Sequence, residues 1–244
     1  MWRAPIRSAT NRPTTTASVL NRLRMNKAQP PLPADLMPAR DCPLCPRLVA
    51  FRRQNQADYP DYFNGPVPSF GDADARLLII GLAPGLKGAN RTGRPFTGDY
   101  AGDLLYSTLA KFGFSTGTFA ARADDGLILR GARIANAVRC VPPENKPTPA
   151  ESKTCRPFLV REIEAMGQVK ALLALGAVAH GSAVSTLGLK PSRVPFAHGA
   201  QHTLAGGRAL FDSYHCSRYN TNTGRLTEAM FHAVFADIRR FLDA

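Results

Sequence analysis

The sequence lacks several features that mark particular classes of protein. No apolar run approaches the roughly 18–20 residues that a membrane-spanning helix needs, which excludes an integral membrane protein. Cysteine is scarce, and five cysteines without a secretory signal argue against a disulfide framework. The chain needs no such staples, because a domain of 244 residues can bury roughly 70% of its unfolded surface.

Acidic residues are also few. The chain has 18 Asp and Glu against 31 Lys and Arg, a formal net charge of +13. Residues 1–30 hold six basic residues and no acidic one, and the remainder is still basic, with 25 against 18. The excess favours a polyanionic partner, with nucleic acid first and an anionic membrane surface second; a need for solubility alone is the third explanation.

Residues 1–40 are rich in Arg, Thr, Asn and Pro and show no sustained hydrophobic periodicity. We predict a disordered basic tail there, or a chain start at Met25, and a single domain over 41–244. An Arg-rich, acid-free start is also typical of an organellar transit peptide. The expected location is the cytoplasm, with organellar import as the alternative.

Four short apolar runs predict buried parallel strands, and amphipathic segments between them predict helices. This alternation predicts an α/β fold: a three-layer α/β/α sandwich with a central, mostly parallel four-stranded sheet. The 20 Gly and 20 Pro are too many for an uninterrupted helical bundle. The predicted strands are 76–81, 132–138, 169–175 and 208–214, and the predicted helices are 101–113, 149–167, 177–187 and 225–242.

Three loops that follow strands carry polar and glycine-rich sequence, and ligands of parallel sheets bind beyond the carboxyl ends of the strands. The first loop suits close approach to an anion but matches neither the P-loop nor the dinucleotide fingerprint. Phe96 is either a platform for a flat ring or a core anchor. Asn136 either pairs with a ring's amide edge or satisfies a turn, and His215 is either catalytic or structural. The three loops are 82–99, 139–155 and 215–225.

Four cysteines form two groups. Cys42 and Cys45 make a C-x2-C pair, whereas fourteen residues of a Pro-rich loop separate Cys140 from Cys155. The sequence TPAE predicts a capped helix start just before Cys155. Because a second tight pair is missing, we prefer a four-thiolate [4Fe–4S] site over zinc, with buried, unligated thiols as the third possibility.

Two of the loops carry long motifs, GLAPG with GANRTGRPFTGD in the first and HCSRYNTNTGRLT in the third. With the four cysteines, they resemble the family 5, or type-B, iron–sulfur branch of the uracil-DNA glycosylase superfamily, over about residues 40–242. The resemblance implies a monofunctional repair glycosylase that hydrolyses the N-glycosidic bond of uracil in DNA and leaves an abasic site. Hypoxanthine, xanthine and ethenocytosine are the further substrates that it implies.

The resemblance also implies roles for single residues. Phe96 would stack on the flipped base, Asn136 would hydrogen-bond its amide edge, and His215, with backbone N–H groups of the first loop around Gly85, would face the carbonyl oxygen that gathers charge. The partner would be double-stranded DNA, with single-stranded DNA as a further partner, bound by a monomer without a membrane. The implied ligands of a structural [4Fe–4S] cluster are Cys42, Cys45, Cys140 and Cys155. The implied DNA contacts are Arg91, Arg94, Ser217, Arg218, Tyr219 and Asn220.

The sequence departs from the family pattern at two positions. Ala83 stands where related families place Asp, Asn or Glu to orient the attacking water. Asn90 and Asp99 are the candidates to hold that water, but we predict that stabilisation of the departing base supplies most of the rate, with Asn90 assisting. Cys216 stands where the family usually has Pro, and we interpret it as a packed thiol.

Three other functions fit the same residues. The chain could be an iron–sulfur module that binds lesions without cutting, an enzyme with family 4 specificity, or a zinc-stapled RNA-binding protein. Release of free uracil separates the first alternative from an enzyme, and the absorbance of an iron–sulfur cluster excludes the third.

Overall fold

The structure is a computed structural model that describes residues 36–244. The tail predicted over 1–40 lies outside the described residues as far as residue 35. Residues 36–40 contact the body of the chain, because Leu36 is buried and the Arg40 guanidinium lies 4.1 Å from the centroid of the Phe63 ring. The packed chain therefore includes the last five residues of the predicted tail.

The central sheet has six strands in the order β1-β5-β2-β6-β8-β7, and a separate hairpin pairs β3 with β4. The four inner strands are parallel, and both edge strands run antiparallel to their neighbours. A central, mostly parallel sheet is confirmed, but the prediction of four strands missed both edges. The strands are β1 (Phe70–Gly71), β2 (Leu77–Gly81), β3 (Ser115–Thr116), β4 (Ile128–Leu129), β5 (Ala132–Asn136), β6 (Ala171–Leu175), β7 (Gln201–Leu204) and β8 (Arg208–Ser213).

The inner strands are buried on both faces, which is why they are continuous apolar runs. In β2 successive side chains point to opposite sides, so Leu77 and Ile79 enter one hydrophobic cluster while Leu78 and Ile80 enter the other. Each such side chain contributes roughly 1.5–3 kcal/mol when fully buried. The sheet is thus the common wall of two cores.

Helices cover both cores, which confirms the α/β/α sandwich. Helices α3 and α7 pack on the Leu77 side, and α4 and α5 pack on the Leu78 side. No helix among the described residues is long and apolar enough to cross a membrane. The helices are α1 (Pro46–Asp58), α2 (Ala89–Thr92), α3 (Tyr100–Lys111), α4 (Pro149–Ala165), α5 (Ala177–Thr186), α6 (Arg218–Asn222) and α7 (Glu228–Asp243).

Side-chain caps fix where three helices begin at the edge of the sheet that carries the loops. Asp99 accepts a hydrogen bond from the Gly102 backbone N–H at the start of α3. The capping box predicted at the start of α4 is present, with Thr148 and Glu151 exchanging hydrogen bonds. Ser217 caps α6 in the same way as Asp99 caps α3. The loops between strands and helices are therefore held at both ends.

Candidate active site

A cavity of about 520 Å³ opens beyond the carboxyl ends of β2 and β5, where the loop after β8 also passes. The three loops of the sequence analysis therefore do meet. Most of the side chains that the sequence singled out for base binding and catalysis line this cavity. The lining residues among them are Ala83, Gly85, Phe96, Asp99, Asn136, His215, Ser217 and Arg218.

Phe96 and Asn136 lie side by side because Gly81 has no side chain. A Cβ built on Gly81 would lie 2.8 Å from the Phe96 ring and would collide with the Asn136 side-chain oxygen. Phe96 is buried and has a left-handed φ of 51°, a strained conformation that the surrounding loop must hold. The arrangement presents a ring face and an amide edge to the same space.

His215 completes this wall. Its ring lies 5.9 Å from the Phe96 ring, centroid to centroid, with only 28° between the two planes. Burial lowers the pKa of His215, so its imidazole is neutral at pH 7. The Asn220 side chain donates a hydrogen bond of 2.8 Å to the His215 backbone carbonyl and thereby fixes the loop. Asn220, predicted as a DNA contact, thus also positions His215.

Asp99 lines the same cavity, together with Asn145, a residue that the sequence does not single out. A Cβ on Gly85 would lie 3.3 Å from the Asp99 Oδ2 and 3.9 Å from the Asn145 Oδ1. The two oxygens therefore converge above a bare stretch of backbone. Burial raises the pKa of Asp99 above its ordinary value of 3.8.

The rim of the cavity is basic and aromatic. Arg218 is exposed, and its guanidinium lies 5.2 Å from the centroid of the Tyr100 ring. Tyr219 is 71% exposed at the start of α6, and Arg91 is exposed on α2. Tyr100 and Arg218 line the cavity themselves, and Tyr219 directly follows Arg218 in the chain.

Four of the cysteines line one small cavity, which we call the cysteine cage. They are Cys42, Cys45, Cys140 and Cys155. Cys45 sits at the start of α1, and Cys155 lies in the second turn of α4. Burial raises the pKa of Cys140 to about 12 and also raises the pKa values of Cys45 and Cys155. The raised pKa values keep the thiols of Cys45, Cys140 and Cys155 neutral at pH 7.

No three sulfurs of the cysteine cage lie within 4.8 Å of one another. Within the described part of the chain, three ligand atoms of His, Cys, Asp or Glu lie within 4.8 Å of one another only at His180, His202 and Asp212. Four sulfurs on one zinc ion, with bonds of about 2.3 Å, would lie about 3.8 Å apart. The fifth thiol, Cys216, is buried in the other part of the core and donates to the Ala101 carbonyl at 3.4 Å.

Comparison with known proteins decides the family. The family model described as the uracil DNA glycosylase superfamily matches residues 68–239. The chain belongs to this superfamily. It is 47% identical over 204 residues to the type-5 uracil-DNA glycosylase of Thermus thermophilus, covering 82% of this chain and 93% of that protein.

Two further relatives carry the same name. The type-5 uracil-DNA glycosylase of Mycobacterium bovis is 42% identical over 208 residues, covering 82% of this chain and 77% of the relative. That of Pyrobaculum aerophilum is 40% identical over 191 residues, covering 77% and 83%. The resemblance to the type-B branch of the uracil-DNA glycosylase superfamily is thereby confirmed.

Asn90, a candidate to hold the attacking water, lies within the first loop. Its side chain is buried and donates a hydrogen bond of 2.9 Å to the Asn64 side-chain oxygen. The Asn64 backbone N–H in turn donates to the Asn90 carbonyl, so the two residues are joined twice. Asn90 holds the loop and is not among the residues that line the cavity, and its assistance to catalysis stays a prediction.

Arg94 also lies inside the protein. It is 4% exposed, and its guanidinium makes two hydrogen bonds of 2.8 and 2.7 Å to the Asp125 carboxylate. The same group lies against the Phe70 and Tyr106 rings. Arg94 supports the first loop from within the fold, and its contact with DNA stays a prediction.

Asn145 was missed because the sequence gives only a weak signal for it. It lies in a Pro-rich segment, and both Glu144 and Asn145 have left-handed φ angles, 54° and 57°. Strained backbone of this kind clusters at functional sites. An Asn beside prolines reads as a turn residue, and only the fold shows that the turn reaches the cavity.

Proposed function

We propose that this protein is a monofunctional DNA-repair glycosylase that hydrolyses the N-glycosidic bond of uracil in DNA and leaves an abasic site. The observation that carries the proposal is that Phe96, Asn136 and His215, from three separate segments, line one cavity. Membership of the superfamily and the printed names of the relatives support it.

Base recognition follows from the shape of the cavity. A base inside a duplex cannot be reached, so it must be extruded at a cost of a few kcal/mol. The Phe96 face then stacks on the flat ring, and the Asn136 amide offers a donor and an acceptor to the amide edge of uracil.

His215 stabilises the departing base. When the N-glycosidic bond breaks, negative charge gathers on the carbonyl oxygens of uracil, and a neutral imidazole donates its N–H to one of them. The hydrogen bond strengthens as the charge develops, so it favours the transition state over the bound substrate. One such pre-aimed donor is worth roughly 3–4 kcal/mol.

Asp99 and Asn145 hold the attacking water in place of the polar residue that Ala83 cannot supply. Their oxygens converge above Gly85, and the missing Cβ leaves the space that a water occupies. Asp99 acts as the ionised acceptor, and Asn145 orients the molecule. This pair contributes less than His215, because stabilisation of the leaving base carries most of the rate.

A wider substrate range follows from Ala83. Its methyl group forms an apolar patch where a carboxylate or amide would impose a hydrogen-bond pattern on the base. The cavity of about 520 Å³ also has room for two-ring bases. We therefore include hypoxanthine, xanthine and ethenocytosine among the substrates.

The DNA surface is the rim of the cavity. Arg91 and Arg218 neutralise phosphates, and Tyr219 is placed to fill the gap that the extruded base leaves. Ser217 and Asn220 position this arm and meet the backbone beside it. Binding by a monomer to double-stranded and single-stranded DNA, weakened steeply by salt, follows from such contacts.

The cysteine cage holds a [4Fe–4S] cluster. The donor set of four cysteines in one cavity fits it, and the spacing of the sulfurs is wider than one zinc ion requires. When bound, the cluster supplies metal–thiolate bonds that join α1, α4 and the loop after β5. Hydrolysis requires no electron transfer, so the role is structural.

The experiment is a panel of oligonucleotides that carry uracil, hypoxanthine, xanthine or ethenocytosine, paired and unpaired. We expect release of free base and alkali-sensitive abasic sites from uracil first. The His215→Ala variant should bind the same DNA with little loss and release base far more slowly. Tight binding of uracil-containing DNA by the wild type without any release would overturn the proposal in favour of a lesion-binding module.

A further inference from the structure

Arg52 is a buried cation in the wall of the cysteine cage. It lies on α1, is 5% exposed and lines the same cavity as the four cysteines. One terminal nitrogen donates a hydrogen bond of 3.1 Å to the Cys42 backbone carbonyl. The other lies 3.9 Å from the Cys140 sulfur, within the range of an N–H···S hydrogen bond.

No carboxylate among the described residues forms an ion pair with Arg52. Glu151, the acid at the start of α4, is engaged by Arg47 through two hydrogen bonds of 2.8 Å. Removing a charged guanidinium from water without a partner is costly, so a buried Arg normally has an anion beside it. At Arg52 the group in that place is a cysteine sulfur.

The surroundings add more positive charge. Glu162 is fully buried and pairs with two arginines, Arg133 at 2.6 Å and Arg139, which leaves this trio one positive charge in excess. Arg139 directly precedes Cys140 in the chain, which places this trio beside the cysteine cage. The buried residues around the cysteine cage thus carry two net positive charges, one on Arg52 and one on the trio of Glu162, Arg133 and Arg139.

We infer that Arg52 is the buried counter-cation of the cysteine cage and sets the stability and reduction potential of the group bound there. The inference rests on the proposed cluster. Four thiolates around a [4Fe–4S] core carry a net charge of about −2, which the two cationic centres offset. The Arg52 guanidinium donates a charge-assisted hydrogen bond to the Cys140 thiolate, and such bonds to sulfur tune cluster potentials.

The test compares three variants of the full-length, iron-loaded protein: Arg52→Gln, Arg52→Lys and the control Arg53→Gln. Arg53 is the next residue of α1 and is exposed, so its change alters the same total charge without touching the cysteine cage. Iron and sulfide per chain, the rate at which a chelator bleaches the visible absorbance, and the midpoint potential by film voltammetry are measured.

We expect Arg52→Gln to lose its cluster at least ten-fold faster than the wild type and to have a lower midpoint potential, because an added electron is no longer offset by a nearby cation. Arg53→Gln should match the wild type in both. Arg52→Lys keeps the charge and should restore most of the cluster stability. A role in packing alone predicts no change of potential and no rescue by Lys.

Two results would overturn the inference. One is an Arg52→Gln protein with the cluster lifetime and potential of Arg53→Gln. The other is Arg52→Lys losing its cluster as fast as Arg52→Gln, and Arg52→Lys alone decides the matter if Arg52→Gln does not accumulate. A wild type without iron and sulfide contradicts the proposed cluster itself, and uracil release by that protein is scored separately.

Discussion

The base cavity and the cysteine cage use burial in the same way but for different partners. In the base cavity, burial keeps the His215 imidazole neutral; in the cysteine cage, it keeps Cys140 protonated. The base cavity is large and has polar groups in its lining, whereas the cysteine cage is small and has an apolar lining that includes Leu48 and Phe158. Under the proposed function, the base cavity binds a base only for the duration of one reaction, whereas the cysteine cage keeps its cluster.

The strongest way to break this comparison is to remove a cage ligand. Cys155→Ser should abolish iron and sulfide binding and lower the melting temperature markedly, because the energy of metal binding is folding energy here. The matched control is Cys216→Ala, which should keep full iron content, since Cys216 packs against Ala101 far from the cysteine cage. Equal iron content in the two variants would contradict the ligand assignment.

The base cavity is tested next by His215→Ala. We expect single-turnover release of uracil to fall about 10²- to 10³-fold, the loss typical of one pre-aimed donor, at unchanged iron content. Quench-flow measurement of the released base checks the rate. Wild-type rates in this variant would refute leaving-group stabilisation by His215.

Arg94 and Arg91 separate structure from binding within one loop. Arg94→Ala leaves the Asp125 carboxylate buried without its partner, and should cost about 3–5 kcal/mol of unfolding free energy. Arg91→Ala should leave stability unchanged and reduce the salt dependence of DNA binding by about one phosphate contact. Denaturant unfolding and fluorescence-anisotropy titrations over a range of salt concentrations measure the two effects, and exchanged outcomes would contradict the placement of both residues.

Asn90 and Asn145 provide a smaller contrast of the same kind. Asn90→Ala leaves the Asn64 side chain without its donor and should cost about 1–3 kcal/mol of stability, with the release rate per folded molecule unchanged. Asn145→Ala should slow base release by less than His215→Ala does and leave stability nearly intact. If only Asn90→Ala slows base release, Asn90 rather than Asn145 orients the attacking water.

The smallest expected effect is on the pH dependence of kcat/KM. Asp99 must be ionised to accept from water, and burial raises its pKa above 3.8, so kcat/KM should decline as the pH falls through that raised value. The pKa of His215 is lowered from 6.5, so no loss of rate is expected near 6.5. Asp99→Asn should flatten the acidic limb while His215→Gln keeps it, and the reverse assignment would contradict the proposed roles.

The parts of the fold that sequence predicts are those that burial dictates. The inner strands are buried on both faces and are therefore apolar throughout, as in β6. The edge strand β7 is polar at three of its four residues and β1 has only two residues, so neither shows an apolar run. Helix α1 was missed because only Leu48, Arg52 and Asn55 are buried on it, and two of these are polar.

Within the site, sequence predicts which loops meet, but not which way each side chain points. Asn90 and Arg94 belong to the same motif as Phe96, yet both find partners inside the protein, Asn64 and Asp125. Those partners lie 26 and 31 residues away in the chain, so no local pattern shows the pairing. A motif fixes residue types, whereas the direction of a side chain depends on what the fold places beside it.

The position of Asn145 in the chain links the base cavity to the state of the cysteine cage. Asn145 follows Cys140 by five residues and precedes Cys155 by ten. The segment that carries this cavity residue is therefore flanked by two cysteines of the cysteine cage. If the proposed cluster is lost by oxidation, the segment that carries Asn145 loses its anchors at both ends and becomes less ordered. The supply of iron and sulfide in a cell would then determine the fraction of the protein that can bind a damaged base.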